Sequence, residues 1–429
     1  MDYRTISTIA LDSATADHTE VWIDEAHEAA TRFAENAVVQ NVSKKTRMLA
    51  VRSAFGQQVG IATTNDLSGE AVRDTVRRAE SMARSSAPDL EYLAPPGPQQ
   101  YPPVCAYDPA TANVSPQARA DAVAVTARLA EDLGAACAGS FTTADGVLYL
   151  RNSAGLEASH RRTAARFTVS AKKGDGTGWA EGYSHRVGDI DTEGLVRRGL
   201  DKACAFSEMR DIEPGAYTVV MEPAAFGGLL GFVCWTLDAK EADEGRSAWT
   251  GRVGTQVACE SFTLRSQPTH PALPGDPFIE DGLPAPEVSW IDRGVLNTLA
   301  YTRFWADKSG CAPTGWPQNT VIEGGDKSAE ELVATVDRGL LITRFWYLNT
   351  VDDMVLSLTG MTRGGLFLIE NGEIVAALKN LRLNDSPLGF LKRIRELGRP
   401  VLTYTEFDDH MVCPPVVIDD FHFTSGTSF

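Results

Sequence analysis

Short β-rich runs alternate with amphipathic helical segments through the first half of the chain, and this order restricts the fold. Runs at residues 21–23, 37–42, 48–55 and 59–64 predict a meander of antiparallel strands. Ser68 then has the position of a helix N-cap, and apolar residues recur at helical spacing after it. An amphipathic helix must bury its apolar face, so we expect this helix to lie on the sheet.

The same pattern recurs after a proline-rich segment. Residues 94–114 contain six prolines and almost no periodicity, which predicts an extended connector. A helix predicted at 116–136 is followed by alternating apolar and polar segments, and then by a third helix at about 192–206. We therefore predict an α+β N-terminal domain, residues 1–213, in which an antiparallel sheet carries its helices on one face.

The second half of the chain, residues 214–429, has a different character. Its strands are short, its turns are rich in Gly and Pro, and Pro214-Gly215 marks the predicted domain boundary. A capping box at Ser328 predicts a helix that continues to Arg338 and is stopped by Gly339, and Asn371-Gly372 predicts a β-hairpin. We predict a β-rich C-terminal domain, with a closed or strongly curled sheet.

Charge and composition argue against several classes of partner. The 40 Lys and Arg against 57 Asp and Glu give a net charge of −17, so we expect no nucleic-acid partner. No run of about 18 apolar residues and no signal-like segment occurs, so we expect a cytoplasmic protein with no membrane partner. The seven cysteines are odd in number and widely spaced, which is typical of reduced thiols.

Two possible metal motifs are incomplete. His27-Glu28 resembles the start of a metalloprotease HExxH motif, but Thr31 stands where the second histidine would be. We interpret this pair as surface residues of a strand or turn. His410 and Cys413 lie close together in sequence, but no third ligand is near them, so we interpret them as part of a structural turn.

Glycines and arginines give two further motifs. Gly174, Gly176 and Gly178 resemble a phosphate loop, but the last glycine of GxGxxG is missing, so we interpret them as a hairpin tip. Four arginines stand beside apolar or aromatic residues in β-rich segments. Each of them could form an internal ion pair or bind a carboxylate with its planar guanidinium. They are Arg32, Arg246, Arg344 and Arg363.

Several segments, in their order along the chain, resemble the TldD/TldE (PmbA) family. This family was once labelled as modulators of DNA gyrase and is understood as two-subunit zinc metallopeptidases. In the first half the resemblance lies in residues 31–36 with Gln40 and in residues 152–155. In the second half it lies in residues 244–247, 268–271, 294–296 and 358–388.

The catalytic subunits of that family carry an HExxxH helix, and a later cysteine completes their zinc site. In the corresponding stretch of this chain, Gly231-Phe232 and Thr236 replace His-Glu and His. These residues can neither form that zinc site nor act as a general base. The resemblance therefore implies a TldE-like chain without catalytic or metal-binding residues of its own, and zinc is expected in a TldD-type partner subunit.

The resemblance also implies a peptide cleft that is shared with the partner, in which edge-strand pairing holds an extended peptide. The substrate would be a peptide or a peptide-derived natural-product intermediate. The apolar segment Phe226–Leu237 is expected at a shared core or at the subunit boundary. The substrate-binding residues predicted for this chain are Arg32, Asn36, Arg246, His270 and Arg363.

Two alternatives from other functional classes remain open on the sequence. One is a self-contained hydrolase with an atypical site formed by His270, His410 and Cys413. The other is a non-enzymatic regulator of a DNA-associated protein, which at a net charge of −17 would act through protein contacts.

Overall fold

The computed structural model describes residues 1–405 and 409–427 of the chain. The first half forms one six-stranded antiparallel sheet in the order β3-β2-β1-β4-β5-β6. This arrangement confirms the predicted meander and extends it across the second group of strands. The six strands are β1 (His18–Ala34), β2 (Ala37–Phe55), β3 (Gln58–Thr64), β4 (Ala136–Asn152), β5 (Glu157–Lys173) and β6 (Gly176–Ser184).

Five helices accompany this sheet, and α1, α2, α4 and α5 cover one of its faces. Alternate residues of the strands, such as Ile23 on β1 and Phe167 on β5, are buried beneath them. Ser68 caps α2 as predicted, by accepting a hydrogen bond from the Ala71 N–H. The helices are α1 (Tyr3–Ser13), α2 (Gly69–Ser85), α3 (Pro109–Ala112), α4 (Pro116–Asp132) and α5 (Thr192–Cys204).

Two features of the first half differ from the prediction. The runs at 37–42 and 48–55 belong to one 19-residue strand, β2, because the charged residues between them pair with oppositely charged residues of β1. Lys44 lies opposite Glu28, and Arg47 lies opposite Glu25. Helix α1 was not predicted. It begins where the Asp2 carboxylate accepts a hydrogen bond from the Thr5 N–H at 2.7 Å.

Most of the strands in the second half are short, as predicted, and they build two further sheets and one two-stranded ribbon. They are β7 (Met209–Arg210), β8 (Ala216–Met221), β9 (Leu264–Ser266), β10 (Phe278–Ile279), β11 (Leu283–Pro284), β12 (Val288–Asp292), β13 (Val295–Leu296), β14 (Thr320–Ile322), β15 (Arg338–Asp352), β16 (Ser357–Glu370), β17 (Glu373–Leu378), β18 (Leu381–Asp385), β19 (Ile394–Leu397), β20 (Val401–Tyr404), β21 (His410–Cys413) and β22 (Val416–Gly426).

In the described part of the second half, five α-helices interrupt these strands. The capping box at Ser328 is confirmed, but the helix that it opens ends at Val333 instead of continuing to Arg338, which is the first residue of β15. None of the helices in the described ranges is long and apolar enough to cross a membrane. The five are α6 (Pro223–Thr236), α7 (Ala239–Asp243), α8 (Arg303–Ser309), α9 (Ala329–Val333) and α10 (Pro387–Phe390).

The larger C-terminal sheet closes on itself. Its strands follow the order β15-β8-β22-β18-β16, and β16 also pairs with β15, so these five strands form a ring. The predicted hairpin at Asn371-Gly372 extends this sheet through β17, and both turn residues have positive φ, of 52° and 79°. The expectation of a closed sheet in the second half is therefore confirmed.

Helix α6 corrects the expectation for the apolar segment Phe226–Leu237. Nine successive residues of α6, from Ala225 to Val233, are buried in the core of this chain itself. Gly227 allows the helix to approach β20, because a Cβ there would lie 3.1 Å from Thr403 Cγ2. The segment is therefore an internal core helix, and only its end, at Trp235, is strongly exposed.

The two halves are joined by ion pairs and ring contacts. Lys202 on α5 lies 2.6 Å from Glu222 at the start of α6, and Asp281 bridges Arg52 and Arg303 at 2.6 and 3.1 Å. Strand β6 of the first sheet also packs against β16 and β20. The uncovered face of the N-terminal sheet is therefore turned toward the C-terminal half, and clefts form along this boundary.

Candidate functional site

A cavity of about 510 Å³ lies on the outer side of helix α6. Two indoles stand at its edge, since the side chains of Trp235 and Trp316 are 59% and 40% exposed. Exposed indoles beside a cavity offer apolar surface to a ligand at a small cost in side-chain entropy. The cavity is lined by Gly231, Cys234, Trp235, Trp316, Pro317, Thr320, Thr405, Asp409 and Met411.

The residues of α6 beside this cavity do not fit a zinc ion. Gly231 has no ligand atom, and the Phe232 ring is only 4% exposed, within the core. The Thr236 hydroxyl donates to the Phe232 carbonyl at 2.8 Å and accepts from Trp249 Nε1 at 3.0 Å. Among the described residues, no three His, Cys, Asp or Glu side chains lie close enough together to hold a metal ion.

The two cysteines near α6 are neutral thiols. Burial raises the pKa of Cys234 to about 12, and burial, followed by the nearby Cys234, raises that of Cys413 well above its ordinary value. Cys413 is fully buried, and its thiol points at the Pro414 carbonyl with a separation of 3.6 Å. A thiolate is the form of cysteine that attacks substrates and binds metals, so neither side chain is poised for such chemistry.

A second cavity, of about 480 Å³, shares Asp409 with the first and extends across the boundary between the two halves. Acidic residues of β1 and β4 line one wall, namely Asp24, Glu28 and Asp145. The C-terminal half contributes Asp276, whose carboxylate lies 3.1 Å from Arg162. The two cavities share Asp409 and together extend from the N-terminal sheet to the indoles of Trp235 and Trp316; we call them the α6 groove.

A stack of rings stands in the wall of the α6 groove. The His410 imidazole is parallel to the Tyr183 ring, with ring centroids 3.4 Å apart, and the edge of Tyr404 meets it at 5.8 Å. Burial lowers the pKa of His410 to about 3, and nearby Arg166 adds to this effect. The imidazole is therefore neutral at physiological pH, and it contributes shape and apolar contact rather than charge.

Two of the predicted site residues lie at the end of the β1–β2 hairpin. Arg32 is exposed on β1. Asn36 is in the turn with a φ of 62°, and its side-chain amide accepts from the Cys137 N–H at 2.7 Å and donates to the Ala135 carbonyl at 2.9 Å. These bonds tie the hairpin end to the start of β4, which gives Asn36 a structural role whether or not substrate also reaches it.

Arg246 and His270 lie in two different loops. Arg246 is exposed and forms ion pairs with Glu241 at 2.9 Å and with Glu244. His270 is half-buried, and burial lowers its pKa. The segment after His270, Ala272–Gly275, lines the α6 groove.

Arg363 stands apart from the other candidates. Residues 362–365 lie within strand β16, where Gly364 and Gly365 have φ of 72° and 126°. The guanidinium of Arg363 is exposed, and its Cζ lies 4.0 Å from the centre of the Trp346 ring. It lines a third cavity, of about 410 Å³, at the boundary between the two halves.

The other motif residues are dispersed. His410 and Cys413 both lie on β21, but side chains three positions apart in a strand point to opposite faces. His27 is a strand residue whose Nε2 lies 2.8 Å from the Ser43 hydroxyl. Gly174 is at the tip of the β5–β6 hairpin with a φ of 59°, as the sequence predicted.

Sequence reasoning missed the aromatic walls of the groove. Trp235 and Trp316 were not singled out, because an indole in an apolar segment ordinarily belongs to the core. The exposure of Trp235 could have been predicted from its position at the end of the apolar run, next to polar residues. The stack of Tyr183 on His410 joins residues 227 positions apart, and no local pattern reports such a contact.

Comparison with known proteins places this chain in a family of metallopeptidases. Three family models of the PmbA/TldA metallopeptidases match it in order. Domain 1 matches residues 23–83, the central domain matches residues 110–206, and the C-terminal domain matches residues 214–425. The chain belongs to the TldD/TldE (PmbA) family, as the resemblance in its sequence implied.

Individual relatives agree with this assignment. Metalloprotease PmbA of Escherichia coli O157:H7 is 24% identical over 429 aligned positions, which cover 92% of this chain and 91% of that protein. TldE of Thermococcus kodakarensis superposes with a TM-score of 0.87 at 19% identity, covering 98% of both chains. A protein of Thermotoga maritima MSB8 gives a TM-score of 0.88 at 19% identity, covering 99% of this chain and 100% of the other.

Proposed function

We propose that this chain is the non-catalytic subunit of a two-chain zinc metallopeptidase that acts on peptides or peptide-derived natural-product intermediates. A TldD-type partner supplies the zinc ion and the HExxxH helix. The observation that carries this proposal is the set of side chains on α6, where Gly231, Phe232 and Thr236 offer no zinc ligand and no base. Membership of a metallopeptidase family supports the assignment of the reaction to the partner.

The role of this chain is to form part of the wall of the peptide cleft. The α6 groove supports this role, because it combines the exposed indoles of Trp235 and Trp316 with polar residues of β1 and β4. A peptide offers both apolar side chains and backbone amides, and such a mixed surface accommodates both. The complex works in the cytoplasm, in keeping with the seven cysteines, all of which are free thiols.

The partner subunit contacts the hairpin between β15 and β16. This hairpin projects with its large apolar side chains exposed, which is uncommon unless another surface covers them. Tyr347 is 67% exposed and Val351 is 58% exposed. The neighbouring exposed residues are Trp346, Met354 and Val355. We call these five residues the hairpin patch.

The proposal is tested by co-expression with an HExxxH-bearing chain of the same family. The two chains are expected to co-elute in size exclusion at micromolar concentration and to cleave an unstructured peptide with about one zinc ion per pair. The isolated chain is expected to bind no stoichiometric zinc and to show no cleavage. One tightly held zinc ion in the isolated chain, or peptide cleavage without a partner, would rule the proposal out.

A matched pair of substitutions tests the position of the contact. Tyr347→Glu places a charge in the hairpin patch, and it is expected to abolish co-elution without lowering the melting temperature. Leu90→Glu makes the same change at a residue that is 74% exposed and far from the hairpin in sequence. This control is expected to co-elute normally. If both variants co-elute, the partner binds elsewhere.

A further inference from the structure

Two arginines lie directly opposite each other on neighbouring strands of the C-terminal sheet. Arg344 on β15 is the cross-strand partner of Arg363 on β16, and both line the cavity of about 410 Å³ at the boundary between the two halves. Like charges at directly opposite positions destabilise a β-sheet. The presence of such a pair therefore indicates that the two arginines have a role other than stabilising the sheet.

Each of the two guanidinium groups lies against an indole. Arg363 Cζ is 4.0 Å from the centre of the Trp346 ring, and Arg344 Cζ is 4.7 Å from the centre of the Trp179 ring. An aromatic face holds a guanidinium in place without using its N–H donors. The donors of Arg363 are therefore available to a ligand, since its guanidinium forms no hydrogen bond or ion pair with any described residue.

The walls of the cavity come from both halves of the molecule. Strands β5 and β6 contribute Lys172 and Thr177, and the C-terminal half contributes the arginine pair and Asn380. Among the described residues, two arginines and a lysine line it together with one acidic residue, Glu35. In a chain with a net charge of −17, this local excess of positive charge is unusual, and it attracts an anion.

We propose that this cavity binds a carboxylate group of an extended peptide, held chiefly by Arg363 in two parallel hydrogen bonds. The planar guanidinium matches the two oxygens of a carboxylate, and Lys172 and Arg344 add attraction. The peptide nature of the ligand rests on the proposed function, whereas the choice of a carboxylate rests on the arginine pair. The carboxylate is the C-terminal α-carboxylate or an Asp or Glu side chain.

The isolated chain is sufficient for the test, so the result does not depend on zinc, on cleavage or on a partner. Three fluorescently labelled peptides of the same apolar and neutral sequence are compared by anisotropy. One has a free C-terminus, one is C-terminally amidated, and one is amidated with a single internal Glu. We expect the free acid to bind about ten-fold more tightly than the amide, equivalent to about 1.4 kcal/mol. Tight binding of the Glu peptide instead identifies the side-chain source.

Substitutions test whether Arg363 is responsible for the preference for a carboxylate. Arg363→Gln is expected to remove the preference for a carboxylate, and Arg363→Lys to retain only part of it, because lysine keeps the charge but lacks the fork. Arg338→Gln changes an exposed arginine at the start of the same strand β15, and it is expected to keep the full preference. Thermal melting checks that each variant is folded. Trp346→Leu is a second test variant, and it is expected to weaken the carboxylate preference because the Arg363 guanidinium loses the ring that holds it in place.

Two results would overturn the proposal. One is equal affinity of the wild-type chain for all three peptides. The other is an unchanged carboxylate preference in folded Arg363→Gln. Because both are read on the isolated chain, they are distinct from a failure to form a metallopeptidase complex, which the co-elution experiment reports.

Discussion

His410 on β21 lies flat against Tyr183 on β6, with ring centroids 3.4 Å apart and an angle of 15° between the ring planes. The contact joins the N-terminal sheet to the C-terminal half in the wall of the α6 groove. It also removes the imidazole from water, which is why the pKa of His410 falls to about 3. Folding of this boundary therefore depends on a histidine that stays neutral.

The first prediction concerns acid stability. In the unfolded chain His410 binds a proton at its ordinary pKa of about 6.5, whereas in the folded chain it does so only near 3. The unfolded state thus takes up more protons between these values, so this contribution to stability is complete above about pH 6.5 and is lost as the pH falls toward 3. The slope is at most about 1.4 kcal/mol per pH unit.

The measurement compares wild type with His410→Phe, which keeps the stacked ring but cannot titrate. Urea unfolding at about pH 7 and about pH 5 is expected to show a smaller loss of stability in the variant, by roughly 1–2 kcal/mol. Other half-buried histidines titrate equally in both proteins and cancel in the comparison. The same pH dependence in both proteins would show that His410 is solvated.

The second prediction concerns a buried ion pair beside this stack. Arg166 lies 2.8 Å from Glu181, whose side chain is only 4% exposed, and burial raises the pKa of that carboxyl. Arg166→Met leaves the buried carboxylate without its main partner and is expected to cost about 3 kcal/mol of unfolding free energy. Arg166→Met combined with Glu181→Gln is expected to recover part of this loss. No recovery in chemical denaturation would mean that packing of Arg166 on Tyr404 dominates.

The third prediction separates structure from substrate binding at Asn36. Its amide makes two hydrogen bonds to the start of β4, and its φ is 62°. Asn36→Ala is expected to lower the unfolding free energy by about 2 kcal/mol, and Asn36→Gly by less, because glycine tolerates the positive φ. Peptide turnover by the two-chain complex is expected to stay unchanged. Lost turnover with unchanged stability would instead place Asn36 in the substrate site.

The parts of the fold that follow local rules were predictable from the sequence. The caps at Ser68 and Ser328 and the hairpin at Asn371-Gly372 depend on a few adjacent residues, and all three are present. Strand β2 was predicted as two shorter runs, because its charged middle has no apolar alternation. The charged middle of β2 is stabilised by its pairing with β1. The pattern of apolar residues within β2 alone does not report this pairing.

The candidate site was less accessible to sequence reasoning. Apolar composition predicted that Phe226–Leu237 packs at a shared core or at the subunit boundary, yet the same composition equally describes an internal helix, and the surrounding strands decide between them. Arg363 was singled out because it stands beside apolar residues in a β-rich segment. Its cross-strand partner Arg344 depends on the register of β15 against β16, which shifts at a bulge between Ile342 and Arg344.

The last prediction concerns Gly364, which follows Arg363. Its φ is 72°, and a Cβ at this position would lie 2.7 Å from Trp179 Cβ on β6. Gly364→Ala therefore introduces backbone strain of about 1 kcal/mol and a steric clash that pushes the two halves apart. Together these effects are expected to lower the free energy of unfolding by about 2–4 kcal/mol. Gly254→Ala is the matched control, because its φ is 80° but a Cβ there meets nothing within 4 Å. Chemical denaturation of both variants is expected to show the larger loss at Gly364, and equal losses would mean that Trp179 moves aside at no cost.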